Sequence, residues 1–332
     1  MKAMVLRKPN PVERSPLRLE DVELGPLRSG HVRLRVLACG VCRTDLHIVE
    51  GELPPKHASI IPGHQIVGEI VESADATKRV GARVGVSWLG GVDGTCQFCQ
   101  SGMENLCDRP TFTGYDVNGG YAEYADARGD FTIALPAELD DVHAAPLLCA
   151  GIIGFRALRV AGVARGERVG LFGFGGSAHL VAQVLRHWEC EIFVATRGAS
   201  HRALAQSLGA SWVGDATDVP PERLDRAITF APSGDVVVAA LSSLRKGGVV
   251  AINAIHLDRM PQFDYDRLLW GERQIRSVTN MTRQDARDFL ALAAEIPIES
   301  HVTTFPLREA NAALAAMKSD AFDGAAVLVP TM

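Results

Sequence analysis

The stretch beginning at Val169 constrains the architecture of this chain most tightly. Val169-Gly170-Leu171-Phe172 is a short apolar run, and Gly173-Phe174-Gly175-Gly176-Ser177-Ala178 follows it directly. Leu180, Val181, Val184 and Leu185 then recur at helical spacing. A strand, a glycine turn and a helix in that order give meaning to a G-x-G-x-x-G/A sequence, with Gly173 and Gly175 in the first two slots and Ala178 in the third. The glycines permit a tight turn and let a pyrophosphate approach the backbone, and the helix that opens at Gly176 offers its free amides to the phosphates. The pattern then repeats. Glu191–Ala195 reads as a second strand, and a helix through Ala203, Leu204 and Leu208 stops at Gly209. Strand-like 226–230, helical 236–244 and strand-like 248–252 continue it. Alternation at this pitch implies a parallel sheet with helices on both faces, a doubly wound α/β unit built to bind a dinucleotide.

The second strand ends in Thr196-Arg197-Gly198, where a carboxylate for the adenosine ribose hydroxyls would signal NAD. No acidic residue stands there. Thr196 removes the repulsion that an Asp would create, and Arg197 either pairs with a 2′-phosphate or extends into solvent. NADP is therefore expected over NAD.

Upstream, the texture differs. Residues 32–37 alternate with period two, residues 66–71 and 81–86 are short and β-rich, and Gly and Pro punctuate the remainder. The first 150 residues read as an irregular β-rich domain without an obvious long helix, and at 332 residues two domains are expected. Helical spacing returns at 283–294 and 310–317, and 325–330 reads as a closing strand.

Three residues in the β-rich part and at its end suit one open zinc site: Cys42 in Cys39-Gly40-Val41-Cys42-Arg43-Thr44-Asp45-Leu46-His47, His64 in Pro62-Gly63-His64-Gln65, and Cys149 in Pro146-Leu147-Leu148-Cys149-Ala150-Gly151. Two thiolates and one imidazole leave a fourth tetrahedral position free, which separates catalytic from structural zinc. Thr44 is placed to accept a proton from an alcohol, Asp45 to orient a ligand imidazole, and His47 to pass the proton to solvent. The plainer alternatives are a helix cap for Thr44-Asp45 and a surface position for His47. A second cluster, Asp93 followed by Cys96, Cys99 and Cys107, supplies one carboxylate and three thiolates, enough to close a structural zinc shell.

Seven cysteines are an odd number, and five of them fall in metal-like settings, so reduced thiols are expected over disulfides, with Cys39 and Cys190 as packing residues. The net charge of −5 lacks the basic surplus that a nucleic-acid partner demands. No run is read as approaching the ~20 apolar residues of a membrane span, and the N-terminus shows no secretory signal pattern. A cytoplasmic protein with no membrane or nucleic-acid partner is expected.

These motifs, together with Gly119-Gly120-Tyr121-Ala122-Glu123-Tyr124, resemble the zinc-dependent alcohol dehydrogenases of the medium-chain dehydrogenase/reductase superfamily, and within it the bacterial branch similar to cinnamyl alcohol dehydrogenases. The resemblance runs from about residue 2 to residue 330. It implies a GroES-like catalytic domain at 1–150, a Rossmann domain at 151–288 and a return to the catalytic domain at 289–332. It also implies that Cys42, His64 and Cys149 bind catalytic zinc and that the Asp93 lobe binds a second zinc. Arg43 would meet the cofactor pyrophosphate, Thr44, the ribose and His47 would relay the proton, Asp45 would stand behind His64, and Trp88 would wall the substrate pocket. The implied reaction is hydride transfer between alcohols or aldehydes and NAD(P), in a homodimer or homotetramer. A polyol dehydrogenase and a zinc-free quinone or enoyl reductase are the alternatives.

Three positions depart from the family pattern: Gln65 where a Glu is usual near the zinc, Asp93 for the first lobe cysteine, and the missing acidic residue after the second strand. Val49 and Leu53 read as loop residues where relatives of small-alcohol specificity carry aromatics. They hint at a roomier pocket for medium-chain or aromatic substrates, with simple loop packing as the alternative.

Overall fold

A computed structural model describes residues 1–296, 298–322 and 324–330. The chain divides into two compact units, one of Met1–Cys149 with Asn280–Ala294 and the C-terminal segment from Glu299, the other of Ala150–Thr279 with Glu295–Ile298.

The first unit is built on a sheet in the order Val302–Pro306, Ala325–Val329, His31–Val41, Gln65–Ser73, Arg83–Val86 and Ile133–Ala134, with Tyr124–Arg128 also paired to His31–Val41. Its pairings are antiparallel except between Val302–Pro306 and Ala325–Val329. Alternation turns Val32, Leu34 and Val36 into one core with Ile66, Ile70 and Val84. Leu307, Ala313, Leu314 and Leu328 join that core, so the C-terminal segment completes the unit rather than trailing from it.

The register decides where the site lies. Gly40 pairs with Gln65, so the residues leaving the first strand stand beside those entering the second. Cys42 and His64, 22 positions apart, are neighbours for that reason. The chain then turns directly into the helix Arg43–Glu50. Val49 lies on that helix, fully buried in the core, and not in a loop; it does not shape a pocket, and Leu53 packs partly buried against the same core.

The second unit holds six parallel strands, in the order Trp212–Gly214, Glu191–Ala195, Arg168–Phe172, Leu224–Thr229, Leu244–Ile252 and Gln274–Ser277. In chain order this is 3-2-1-4-5-6, the doubly wound arrangement whose strand order reverses beside the first strand. Phe172, Val237, Leu241 and Val250 lie in its core.

The helix Asp141–Ala161 is 21 residues long and matches a membrane span by length and composition alone. Buried residues make up 67% of its most apolar window, the burial of a core helix. Pro146 disguised it, because a proline inside a helix normally breaks it. Here the segment Leu147–Gly151 follows as a π turn, and the helix resumes at Ile152.

Candidate functional site

Three local devices bring the first set of donors together. Cys42 is the N-cap of Arg43–Glu50, where free helix amides and the positive end of the dipole favour a thiolate. His64 sits just before its strand and is fully buried. Cys149 lies inside the π turn, and Ser87 Oγ donates to the carbonyl of the preceding Leu148 at 2.5 Å, which fixes that turn. The three donor atoms lie within 4.8 Å of one another, with Cys42 Sγ and Cys149 Sγ 4.0 Å apart. Two sulfurs ~2.3 Å from a tetrahedral zinc stand about 3.8 Å from each other, so the spacing fits the metal.

The electrostatics fit as well. His64 Nε2 is buried without a hydrogen-bond partner, while Nδ1 meets Asp45 Oδ1 at 3.0 Å. An imidazole nitrogen left bare in the interior, facing two thiols, is the position of a metal ligand. Burial opposes a proton on His64, but Asp45 and then Cys42 outweigh it and push the ring up to about 10. The Cys149 thiol draws Cys42 well down against its burial, while Cys149 itself is pushed up by Cys42.

Asp45 is the centre of the support. It is fully buried; Oδ2 accepts from the Cys42 amide at 2.9 Å and from Tyr121 Oη at 3.2 Å, and Oδ1 accepts also from the Gly63 amide at 3.2 Å. The cap and the imidazole support are therefore one residue's work. Tyr121 is a contributor that the sequence reading used only as part of a motif. Gly119, Gly120 and Tyr121 bond by their amides to the carbonyls of Ile61, Gly63 and Pro62, which lays that segment over the His64 loop. Thr44 Oγ1 lies 3.8 Å from Cys42 Sγ and is buried. His47 is in the last turn, with Nδ1 2.5 Å from Glu52 Oε2. Arg43 opens the helix and pairs with Asp320 at 3.3 Å. Trp88 meets the His64 ring edge-on at 5.1 Å and stacks on Phe112 at 4.8 Å, so it forms a braced wall beside the imidazole. Gln65 is buried on the neighbouring strand.

The second cluster also converges, with donor atoms of Asp93, Cys96, Cys99 and Cys107 within 4.8 Å. Asp93 Oδ1 accepts from the amides of Cys96 and Thr95 at 3.0 and 2.9 Å, which hold its carboxyl well below the usual range. Amides of Asp93 and Arg109 point at Cys107 Sγ, each at 3.4 Å. An ionised carboxylate and three cysteines fill four corners and leave none open, as a structural zinc site requires.

In the second unit the glycine turn joins Arg168–Phe172 to the helix Gly176–His187. Gly173 has φ +91°, a conformation that L side chains rarely adopt, and a Cβ there would also come 3.0 Å from the Ala231 amide nitrogen. Gly175 is the N-cap and has open space where a Cβ would be. Ala178 is fully buried. Thr196 follows Glu191–Ala195, is buried, and bonds through its amide to Gly214 at 3.0 Å. Arg197 is exposed beside it. Cys39 is fully buried, whereas Cys190 is only half-buried, so packing describes the first better than the second.

Two family models match the chain: the alcohol dehydrogenase GroES-like domain over residues 28–137 and the zinc-binding dehydrogenase model over residues 176–295. A Mycobacterium tuberculosis protein named "Probable alcohol dehydrogenase AdhA" is 45% identical, covering 99% of this chain and 97% of its own length. An alcohol dehydrogenase of Geobacillus stearothermophilus is 34% identical, over 95% and 96% of the two chains. Among solved structures, the alcohol dehydrogenase of the archaeon Aeropyrum pernix superposes with a TM-score of 0.86 at 28% identity, covering 99% of this chain and all of its own.

Proposed function

The chain belongs to the zinc-type medium-chain alcohol dehydrogenases, and on that premise we propose that Cys42, His64 and Cys149 hold the catalytic zinc of an NAD(P)-dependent alcohol dehydrogenase. The observation that carries this reading is the bare, buried His64 Nε2 facing two thiols. A zinc-free reductase would have no use for that arrangement. In this reading the first unit acts as the catalytic domain and the second as the dinucleotide-binding domain, so that the return to the catalytic domain begins at Asn280 rather than at 289.

Zinc, when bound, supplies Lewis-acid polarisation of the substrate oxygen, and the nicotinamide accepts or donates the hydride. The chain's own residues do the rest. Asp45 holds His64 by Nδ1 so that Nε2 faces the metal. Thr44 would accept the alcohol proton, and His47 would release it to water. Trp88 walls the substrate on one side, and its aromatic stack favours medium-chain and aromatic alcohols and aldehydes over ethanol. Gly173, Gly175, Gly176 and Ala178 make the pyrophosphate turn. Thr196 and Arg197 favour a 2′-phosphate, hence NADP.

A steady-state panel of ethanol, octanol, benzyl alcohol and cinnamaldehyde with both cofactors tests the substrate and cofactor parts together. NADP should be preferred, and Arg197→Ala should weaken its kcat/KM roughly 10-fold, on the order of one charge-assisted contact, with little effect on NAD. Equal losses with both cofactors, or efficiency confined to ethanol, would reject the corresponding part.

We assign a second zinc to Asp93, Cys96, Cys99 and Cys107. Metal analysis should find two zinc per chain, falling by one in Asp93→Ala while the catalytic zinc stays; a single zinc in the natural chain would refute the lobe assignment. A homodimer or homotetramer in the cytoplasm completes the reading. It is supported by the edge strand Gln274–Ser277, the adjacent Trp270 and Tyr265 at 63% and 55% exposure, and seven unpaired cysteines. A monomer in sedimentation equilibrium would rule out the assembly.

A further inference from the structure

His47 and Glu52 meet at the end of the helix that Cys42 caps. The helix Arg43–Glu50 ends at Gly51, whose φ of +84° places it in the left-handed region, and whose amide bonds back to the carbonyls of His47 and Ile48. A Cβ on Gly51 would also lie 2.8 Å from Pro9 Cβ, so both conformation and space call for glycine. The reversal that it permits carries Glu52 back over the last turn. The amide of Leu53 bonds to the His47 carbonyl at 3.2 Å and locks the return. Glu52 Oε2 then stands 2.5 Å from His47 Nδ1.

We propose that Glu52 is a positioning residue that holds His47 with its hydrogen on Nδ1 and so leaves the Nε2 lone pair free to take the alcohol's proton. A carboxylate only accepts, so a ring nitrogen at this distance from it must carry the hydrogen. The other nitrogen is then the base, whatever the preference of a free imidazole. In the oxidation direction the Nε2 lone pair binds the incoming proton, and the imidazolium so formed stands as an ion pair with the Glu52 carboxylate. The Nε2 proton then passes to water, and the neutral ring returns with its hydrogen still on Nδ1. Glu52 keeps its charge throughout, as does the orienting carboxylate of a hydrolase triad. At 23% exposure for the His47 side chain and 59% for Glu52, the pair lies where a proton can leave to solvent and where a substitution leaves the core intact. This inference rests on the assignment of His47 to the proton relay.

The test is nitrogen-15 NMR of histidine-labelled protein, zinc-loaded and without nicotinamide cofactor, at a pH where the ring is neutral. The His47 signals are identified by their loss in His47→Gln. The natural chain should show a protonated Nδ1 and a bare Nε2. Glu52→Ala should shift the ring toward the Nε2–H form, and kcat for alcohol oxidation should fall about 10-fold, less than the ~10²–10⁴-fold of losing a general base, because Glu52 only orients the base and the pair is partly solvated. KM for the cofactor should be little changed. An Nε2–H ring in the natural chain, or a tautomer indifferent to Glu52→Ala, overturns the proposal. So does a slow His47→Gln enzyme beside a Glu52→Ala enzyme of normal rate. If His47→Gln is itself as fast as the natural chain, the relay assignment fails instead, and the tautomer result then stands by itself.

Discussion

Replacing Cys149 with Ser is expected to lower kcat/KM for alcohol oxidation by at least about 10³-fold, the loss of several kcal/mol of transition-state stabilisation. The change removes one sulfur that stands 4.0 Å from Cys42 Sγ and leaves a hydroxyl that does not ionise near neutral pH. The fold should hardly notice, because the swap is small and the π turn keeps its anchor from Ser87 to Leu148. A stability cost of about 1 kcal/mol is the expected scale. Circular dichroism and thermal melting recorded with the kinetics separate the two effects. Near-normal turnover in this variant would exclude Cys149 from the metal centre.

The second large effect is expected from Asp45→Asn. The amide has the shape of the carboxylate but presents an NH2 where Asp45 now presents an oxygen. All four of its partners are donors or become so: the Cys42 amide, the Gly63 amide, the Tyr121 hydroxyl and His64 Nδ1 with its hydrogen. Whichever way the Asn turns, its NH2 faces at least one backbone amide, that of Cys42 or that of Gly63, in a site that water does not reach. A stability loss of about 1–3 kcal/mol follows from the unmet buried groups. Zinc affinity should fall ~10–100-fold as the imidazole loses its orienting charge. Chelator competition measures the affinity and denaturant titration the stability. An Asn variant equal to the natural chain in both would mean that Asp45 does not support the ligand.

These residues also show which parts of the molecule could be read from sequence. The doubly wound sheet was legible because strand and helix periods alternate cleanly from Val169 onward and the glycine turn stands at their first junction. Cys42, His64 and the Asp93 lobe stood out because residue type and local spacing carry the chemistry of ligation. The helix that bears Cys149 did not, because Pro146 within it obeys the rule for breaking a helix, yet the helix continues through a π turn. Val49 misled in the opposite direction: a position two residues before a glycine looks like loop, but the helix runs on through Glu50 and buries it. The supports were the least visible. Tyr121 reaches Asp45 across 76 positions and Ser87 reaches Leu148 across 61, pairings that the sheet and the helix create and no local pattern encodes. Glu52 is the exception. A histidine five residues before an acid, with glycine between them at the helix end, is a local signal that a C-cap reading could have found.

The claim on which the rest depends is that Cys42, His64 and Cys149 hold a metal that the reaction needs. Zinc per chain, measured side by side for the natural protein and for the Cys42→Ser/Cys149→Ser double variant, addresses it most directly. The expected result is one zinc fewer in the variant, the structural zinc retained, and no alcohol-dependent reduction of nicotinamide. Equal zinc in the two proteins, with turnover preserved, would contradict it.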